Sequence, residues 1–309
     1  MRFAHMAVLA VLGASSAAAL HDDAAVILAA ARQALGGDAA LAAVATWQVI
    51  GSVSRDLGPV TTNSAVELSC VLPDKFVQVF EQTMSMGPLG SSQVTRTEGF
   101  NGDDPIFDVH APDSPVPATI EVNAPKTPVE AAARRLRQAN SQKHAFARLA
   151  LVLYAKSFSA YPLDLVAAGS AAMTTGPADV VEAKGPDGWR MRLFLDGVTH
   201  LPVKIVWMDK PFVTFSTSTM VAVPMSSRGQ VFVPPPSAGT VTGPPPGDPT
   251  AGMADVEWET TIGDYRRADA VNWPHRLTTT FAGRKHEDWR LGKFKINPKI
   301  DLKRFRPSK

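Results

Sequence analysis

Two histidines near the carboxyl end of the chain are the side chains best suited to chemistry. His275 lies in a predicted strand, His286 precedes Glu287 and Asp288 in the next strand, and the turn Ala282-Gly283 separates the two. A hairpin would bring imidazole close to carboxylate, a combination that binds metal ions or transfers protons. The same strands alternate with tryptophan and arginine, and no nucleophile accompanies the histidines. The pattern therefore favours a polar rim over a metal or general-base site.

No other part of the chain forms a catalytic signature. The sequence contains no Walker loop, no G-x-S-x-G nucleophile elbow, no H-E-x-x-H motif and no C-x-x-C pair. Its single cysteine, Cys70, stands in an apolar strand candidate with no His or Lys nearby to activate it, which favours a structural thiol. We therefore predict a non-enzymatic protein with no cofactor and no metal. An uncharacterised hydrolase ranks third, after the two non-enzymatic functions given below.

The elements that must position these side chains are β-strands. From Asp187 to Leu302, large apolar residues alternate with mostly polar ones, and turns at Asp196-Gly197 and Ala282-Gly283 interrupt the pattern. Side chains on a strand point alternately to opposite faces, so the pattern predicts an antiparallel sheet with one apolar face. The best candidates for a concave, ligand-binding part of that face are Trp189, Leu193, Trp207, Val256, Trp258 and Leu277. Aromatic side chains at this spacing are more often ordinary core than cavity lining.

Two helical regions are predicted beside the sheet. A first helix covers residues 24–35 and ends at Gly36-Gly37. Thr127 and Glu130 form a capping box that opens a longer helix, which runs to about Lys156, has a candidate break near Asn140 and lies across the sheet. This helix also carries a cluster of basic residues, namely Arg134, Arg135, Arg137, Lys143 and Arg148. Such a cluster either contacts anionic lipid head groups or forms a solvated face, and the pattern favours the solvated face.

The first residues have the pattern of a secretory signal. A short positive start is followed by an apolar run that is too short to span a membrane, and Ala17 and Ala19 provide the small residues that signal peptidase requires. We predict a signal peptide over residues 1–19, a single domain over 20–309 without a transmembrane span, and a periplasmic or secreted bacterial location. A Pro/Gly-rich stretch, residues 224–252, reads as an inserted loop within that domain.

Composition excludes some partners. The 31 basic residues nearly balance the 29 acidic ones, so no strong attraction to nucleic acid is expected. With 309 residues, of which 45% are hydrophobic, the chain can bury a substantial core. Core packing must stabilise this fold without an intrachain disulfide, because only one cysteine is present.

Short motifs along the chain resemble the outer-membrane lipoprotein-sorting superfamily. They are the helical Ala34-Leu35-Gly36-Gly37, then Asn101-Gly102-Asp103, the stretch from Leu195 to Val203, and in the tail Gly263-Asp264-Tyr265-Arg266, Ala270-Val271-Asn272-Trp273-Pro274-His275-Arg276 and Lys295-Ile296-Asn297-Pro298. The resemblance implies a half-open antiparallel β-barrel wrapped over helices, with an apolar cavity that shields lipid or acyl chains. No catalytic residue carries over from the family.

The prediction is an α+β, lipoprotein carrier-like protein that binds a hydrophobic small molecule, lipid or lipoprotein in a concave apolar cavity. The alternative is a cell-envelope interaction or scaffold protein, in which the cavity is filled and the Pro-rich loop binds an envelope protein partner.

Overall fold

The computed structural model of the chain describes residues 12–58, 61–85, 91–112, 127–211 and 252–306. The helices of this part are α1 Leu12–Leu35, α2 Asp38–Ala42 and α3 Pro128–Tyr154, with short 3-10 helices at Pro186–Gly188 and Leu302–Phe305. The strands are β1 Thr46–Asp56, β2 Thr61–Val71, β3 Lys75–Ser85, β4 Ser91–Asn101, β5 Asp104–His110, β6 Asp164–Met173, β7 Gly176–Lys184, β8 Arg190–Asp196, β9 Pro202–Asp209, β10 Val256–Ala268, β11 Val271–Phe281 and β12 Arg284–Ile296.

All twelve described strands belong to one antiparallel sheet. Their order is β5-β4-β3-β2-β1-β12-β11-β10-β9-β8-β7-β6, so β5 and β6 are the edges and the sheet is not closed. Most neighbours in the sheet are also neighbours in sequence, but β1 pairs with β12 and joins the two halves of the chain. The predicted large antiparallel sheet is confirmed. The predicted Pro/Gly-rich loop lies outside the described residues, apart from Gly252.

One face of the sheet carries the main hydrophobic core. Alternate residues of the strands point to this face, as the period of two predicted, and α3 packs over it. Trp47, Phe76 and Phe100 are almost fully buried there, and the Phe76 ring lies 5.7 Å from that of Phe146 on α3. The opposite face has a smaller cluster in which Phe305 packs on Val77.

The boundaries of α3 follow from local chemistry. The Thr127 hydroxyl accepts a hydrogen bond from the Glu130 N–H at 3.1 Å, which confirms the predicted cap. The helix ends at Tyr154, and the next residue, Ala155, adopts a left-handed conformation (φ 45). Contrary to the predicted break near Asn140, α3 is continuous, because Ala139, Gln142 and Phe146 are buried and hold this part of the helix against the sheet.

Candidate functional site

A cavity of about 650 Å³ lies between α3 and the core-bearing face of the sheet. Its walls come from α3, from β1 to β5 and from β9 to β12. On β3 it extends from Phe76 to Gln82, and it reaches the end of β1 at Arg55 and the start of β2 at Thr62. The volume lies within the range of about 300–1,000 Å³ that is common for small-molecule pockets.

Helical spacing on α3 produces the wall of the cavity that faces the sheet. Ser141, Ala145, Leu149 and Val152 recur at intervals of three or four residues and line the cavity. Deeper along the same helix, Phe146 and Leu153 are buried in the core. One helix therefore both anchors the core and covers the hollow.

A stack of aromatic rings forms one side of the cavity. Trp207 and Trp258 lie opposite each other on β9 and β10, with ring centroids 6.0 Å apart and planes 15° apart. Trp258 is also opposite Phe281 on β11, at 4.9 Å. The Trp258 indole N–H donates to the Lys210 carbonyl oxygen at 3.2 Å, so its single polar group is satisfied and the ring presents apolar surface. Cross-strand register thus aligns residues that are distant in sequence.

Phe80 and Trp289 form part of another side. Their rings meet edge to face at 5.8 Å. The guanidinium groups of Arg55 and Arg96 each lie 4.8 Å from the centroid of the Phe80 ring. These two arginines therefore make cation–π contacts with an aromatic side chain of the cavity wall.

Both of these arginines are neutralised by carboxylates. Arg55 Nε lies 2.6 Å from Glu287 Oε1, and Arg96 Nε lies 3.0 Å from Glu98 Oε1. Burial by itself would raise the pKa of Glu287, but the Arg55 guanidinium, the Trp289 indole N–H and His286 together lower it. Glu287 is therefore an anion at neutral pH. Burial lowers the pKa of Arg96, which Glu98 partly opposes.

Arg148 is the exception among the arginines of the cavity. Its guanidinium lies 4.4 Å from the Trp207 ring centroid. Its Nη1 is inaccessible to solvent and has no hydrogen-bond partner. Among the residues that the structure describes, no carboxylate lies within ion-pair distance of it. Burial lowers the pKa of Arg148 to about 10, and the more distant charges of Asp209 and Glu287 act in the opposite direction. Arg148 remains a cation at neutral pH.

The six predicted ligand-binding residues occupy three different environments. Trp207, Trp258 and Leu277 line the cavity. Trp189 and Leu193 are buried in the main core, where the Trp189 ring stacks on His144 at 5.1 Å. Val256 is half-buried at the start of β10. The cavity wall includes no residue of β7 or β8.

Sequence reasoning missed several lining residues. Phe80, Arg96 and Trp289 meet only because the chain brings β3, β4 and β12 under α3. Arg148 carried a usable signal, because it follows Ala145 by three residues and falls on the apolar stripe of α3. The helix was predicted to have a solvated basic face. Arg134, Arg135 and Arg137 are exposed as predicted, whereas Arg148 faces the cavity.

The two histidines neither form an exposed rim nor meet each other. His275 and His286 are buried, and each donates Nδ1–H to a backbone carbonyl oxygen, Leu291 at 2.8 Å and Asp56 at 2.9 Å. The register places Thr279 opposite Glu287, so His275 lies farther along β11 than the position that faces His286. Within the described ranges, no group of three or more His, Cys, Asp or Glu side chains is arranged to hold a metal ion.

Cys70 is fully buried in β2. Burial raises the pKa of its thiol, and Asp74 adds to the shift, so the group stays protonated. A protonated thiol that solvent does not reach is not a nucleophile, which agrees with the structural role predicted for it.

The chain resembles several solved structures. It matches a DUF1329 family protein from Desulfovibrio piger (6% identity, TM-score 0.44, 94% of this chain and 97% of that one). It also matches a LolA superfamily protein from Nitrosomonas europaea (10% identity, TM-score 0.44, coverage 92% and 97%). A third match is an outer membrane lipoprotein-sorting protein domain from Vibrio parahaemolyticus (9% identity, TM-score 0.39, coverage 84% and 88%). The superfamily that the sequence motifs resemble is thus among the structural matches.

No family model matches the chain, and no curated protein matches it. In the part of the chain that the structure describes, none of the helices has the length and apolar character needed to cross a membrane.

Proposed function

We propose that this protein is a non-enzymatic binding protein of the bacterial cell envelope, which holds an acyl chain or a similar apolar ligand between α3 and the sheet. The observation that supports this most strongly is the cavity of about 650 Å³ next to an otherwise well-packed core. Protein interiors are normally close-packed, so a hollow of this size beside a dense aromatic core calls for an occupant.

The proposal includes the organisation of the chain. Residues 1–19 would be removed on export, and residues 20–309 would form one lipoprotein carrier-like domain, periplasmic or secreted. The sheet would curve as a half-open barrel over the helices. Two helix–sheet contacts support this arrangement. Helix α1 packs against the edge strand β6, and α3 packs against β4 and β5 at the opposite edge of the sheet.

The apolar wall can supply the binding free energy. Each buried methylene contributes about 0.8 kcal/mol, so a chain of about a dozen carbons gains roughly 10 kcal/mol before association costs of about 4 kcal/mol or more. Leu68, Leu149, Val152 and Ile205 provide aliphatic surface, and Trp207 and Trp258 provide aromatic surface. Affinity should therefore rise with chain length until the cavity is full.

Two measurements test the proposal. Native mass spectrometry of the purified protein should show co-purifying lipid, and fatty acids added to delipidated protein should change its tryptophan fluorescence, because Trp207, Trp258 and Trp289 line the cavity. Affinity should increase by roughly tenfold for each added pair of carbons. Protein that carries no lipid and binds no acyl chain of any length would refute the proposal, and the scaffold hypothesis would then be preferred.

A further inference from the structure

One arginine of the cavity has a buried N–H group that no acceptor among the described residues satisfies. Arg148 projects from α3, with its guanidinium over the Trp207 ring at 4.4 Å. Its Nη1 is buried without a partner. A guanidinium offers five N–H donors in a planar fork and accepts no hydrogen bond, so only an acceptor can satisfy it.

The neighbouring carboxylates do not satisfy Arg148. Glu287 accepts from Arg55 Nε at 2.6 Å and from the Trp289 indole N–H at 2.8 Å. Asp209 is exposed and accepts from the Lys210 backbone N–H at 2.8 Å. Neither is within ion-pair distance of Arg148, so their charges act on it only from farther away.

The other two arginines of the cavity provide an internal comparison. Arg55 and Arg96 share the same aromatic environment, and each has a carboxylate within 3.0 Å. Shielding the Nη1 donor of Arg148 from water without supplying an acceptor costs free energy, because no hydrogen bond replaces the one to water. Contact with Trp207 holds the guanidinium in place before any ligand arrives.

Resting on the proposed function, we propose that the ligand is an amphiphile with an anionic head, a carboxylate or a phosphate, and that Arg148 binds this head through charge-assisted hydrogen bonds. Both heads offer the paired oxygen acceptors that match a guanidinium fork. The acyl chain then lies along the apolar wall formed by Leu149, Val152 and Ile205. Arg148 should select a charged head, because a neutral alcohol would leave its guanidinium without a counter-charge.

The experiment compares three probes of equal chain length on delipidated protein: palmitate, hexadecyl phosphate and hexadecanol. The unmodified chain should bind the two anions roughly tenfold to a hundredfold more tightly than the alcohol. Arg148→Met keeps an unbranched apolar side chain over Trp207 and should abolish this preference while retaining hexadecanol binding. Arg148→Lys should restore part of it, because the charge returns without the fork. The ratio of palmitate to hexadecyl phosphate affinity identifies which head is preferred.

Arg137→Met is the matched control. It removes the same charge from the same helix at an exposed position outside the cavity lining, and it should leave the preference for anions unchanged. Ligand-free Arg148→Met should melt at or above the temperature of the unmodified chain, because methionine removes the unsatisfied Nη1 donor and retains an apolar contact with Trp207.

The outcomes separate the two proposals. If the unmodified chain binds palmitate, hexadecyl phosphate and hexadecanol equally well, or if Arg148→Met keeps the preference for anions, the inference about the head group is wrong and the acyl-binding proposal stands. If none of the three probes binds, the proposed function itself fails. The comparison of probes on the unmodified chain decides the question even if a variant does not fold.

Discussion

Filling the cavity from α3 distinguishes an open ligand site from a packed core. Ala145 lines the cavity, so Ala145→Phe projects a ring into empty space. Cavity-filling substitutions typically raise the free energy of unfolding by about 0.5–2 kcal/mol. For a domain of this size, each kcal/mol shifts the melting temperature by about 2–4 °C. We therefore expect ligand-free Ala145→Phe to melt at the same temperature as the unmodified chain or a few degrees higher.

Ligand binding should change in the opposite direction. If the ring displaces about three methylenes of a bound chain, at about 0.8 kcal/mol each, the affinity for palmitate falls roughly 50-fold. Thermal unfolding followed by circular dichroism and titration by tryptophan fluorescence measure the two effects on the same protein. Stability that is retained while affinity is lost is the signature of a filled binding site.

Ala147→Phe is the control on the same helix. Ala147 is 2% exposed and belongs to the main core, so the added ring has no space and should cost about 1–3 kcal/mol through overpacking. The reasoning is refuted if Ala145→Phe destabilises the protein as much as Ala147→Phe does. It is refuted equally if Ala145→Phe leaves palmitate affinity unchanged.

Three further predictions concern two tryptophans, the Glu287 carboxylate and the Pro/Gly-rich stretch. Trp258→Ala should weaken acyl binding more than Trp273→Ala does, because Trp258 lines the cavity. Calorimetry should show the larger loss of stability, about 3–5 kcal/mol, for Trp273→Ala, because Trp273 is fully buried. Because the folded-state pKa of Glu287 is lowered, its charge stabilises the fold above the ordinary carboxylate pKa and ceases to do so as pH falls through the folded-state value. Glu287→Gln should thus lower the free energy of unfolding by about 3 kcal/mol at neutral pH and leave it equal to that of the unmodified chain in acid. Equal losses at the two pH values would contradict the ion-pair argument. Replacing residues 226–251 by a short Gly-Ser linker should leave unfolding cooperative and change the melting temperature little, which differential scanning calorimetry checks; loss of folding would show that the stretch is structural.

Local patterns in the sequence identified individual elements well. The alternation in Trp189 to Leu195 and in Pro202 to Trp207 predicted paired strands, which the structure contains as β8 and β9. The capping box at Thr127 predicted the start of α3. These features depend on residues within a few positions of each other, so the chemistry that determines them is contained in a short stretch of chain.

The position of each strand along the sheet could not be predicted in the same way. Trp189, Leu193, Trp207 and Trp258 share one pattern of alternation, yet the first two lie outside the cavity wall and the last two form part of it. Alternation determines which face of a sheet a side chain points to, but it carries no information on how far α3 stands from that face.

The sequence by itself determined the types of the elements, the apolar face and the lack of any recognised catalytic motif. Only the tertiary structure decided that β1 pairs with β12 and brings Arg55 to Glu287, and that Arg148 lacks such a partner. The physical reason is that hydrophobic periodicity is a local property of the chain. Charge pairing and cavity volume instead depend on which distant segments pack together, and this arrangement follows from the summed contacts of the whole fold.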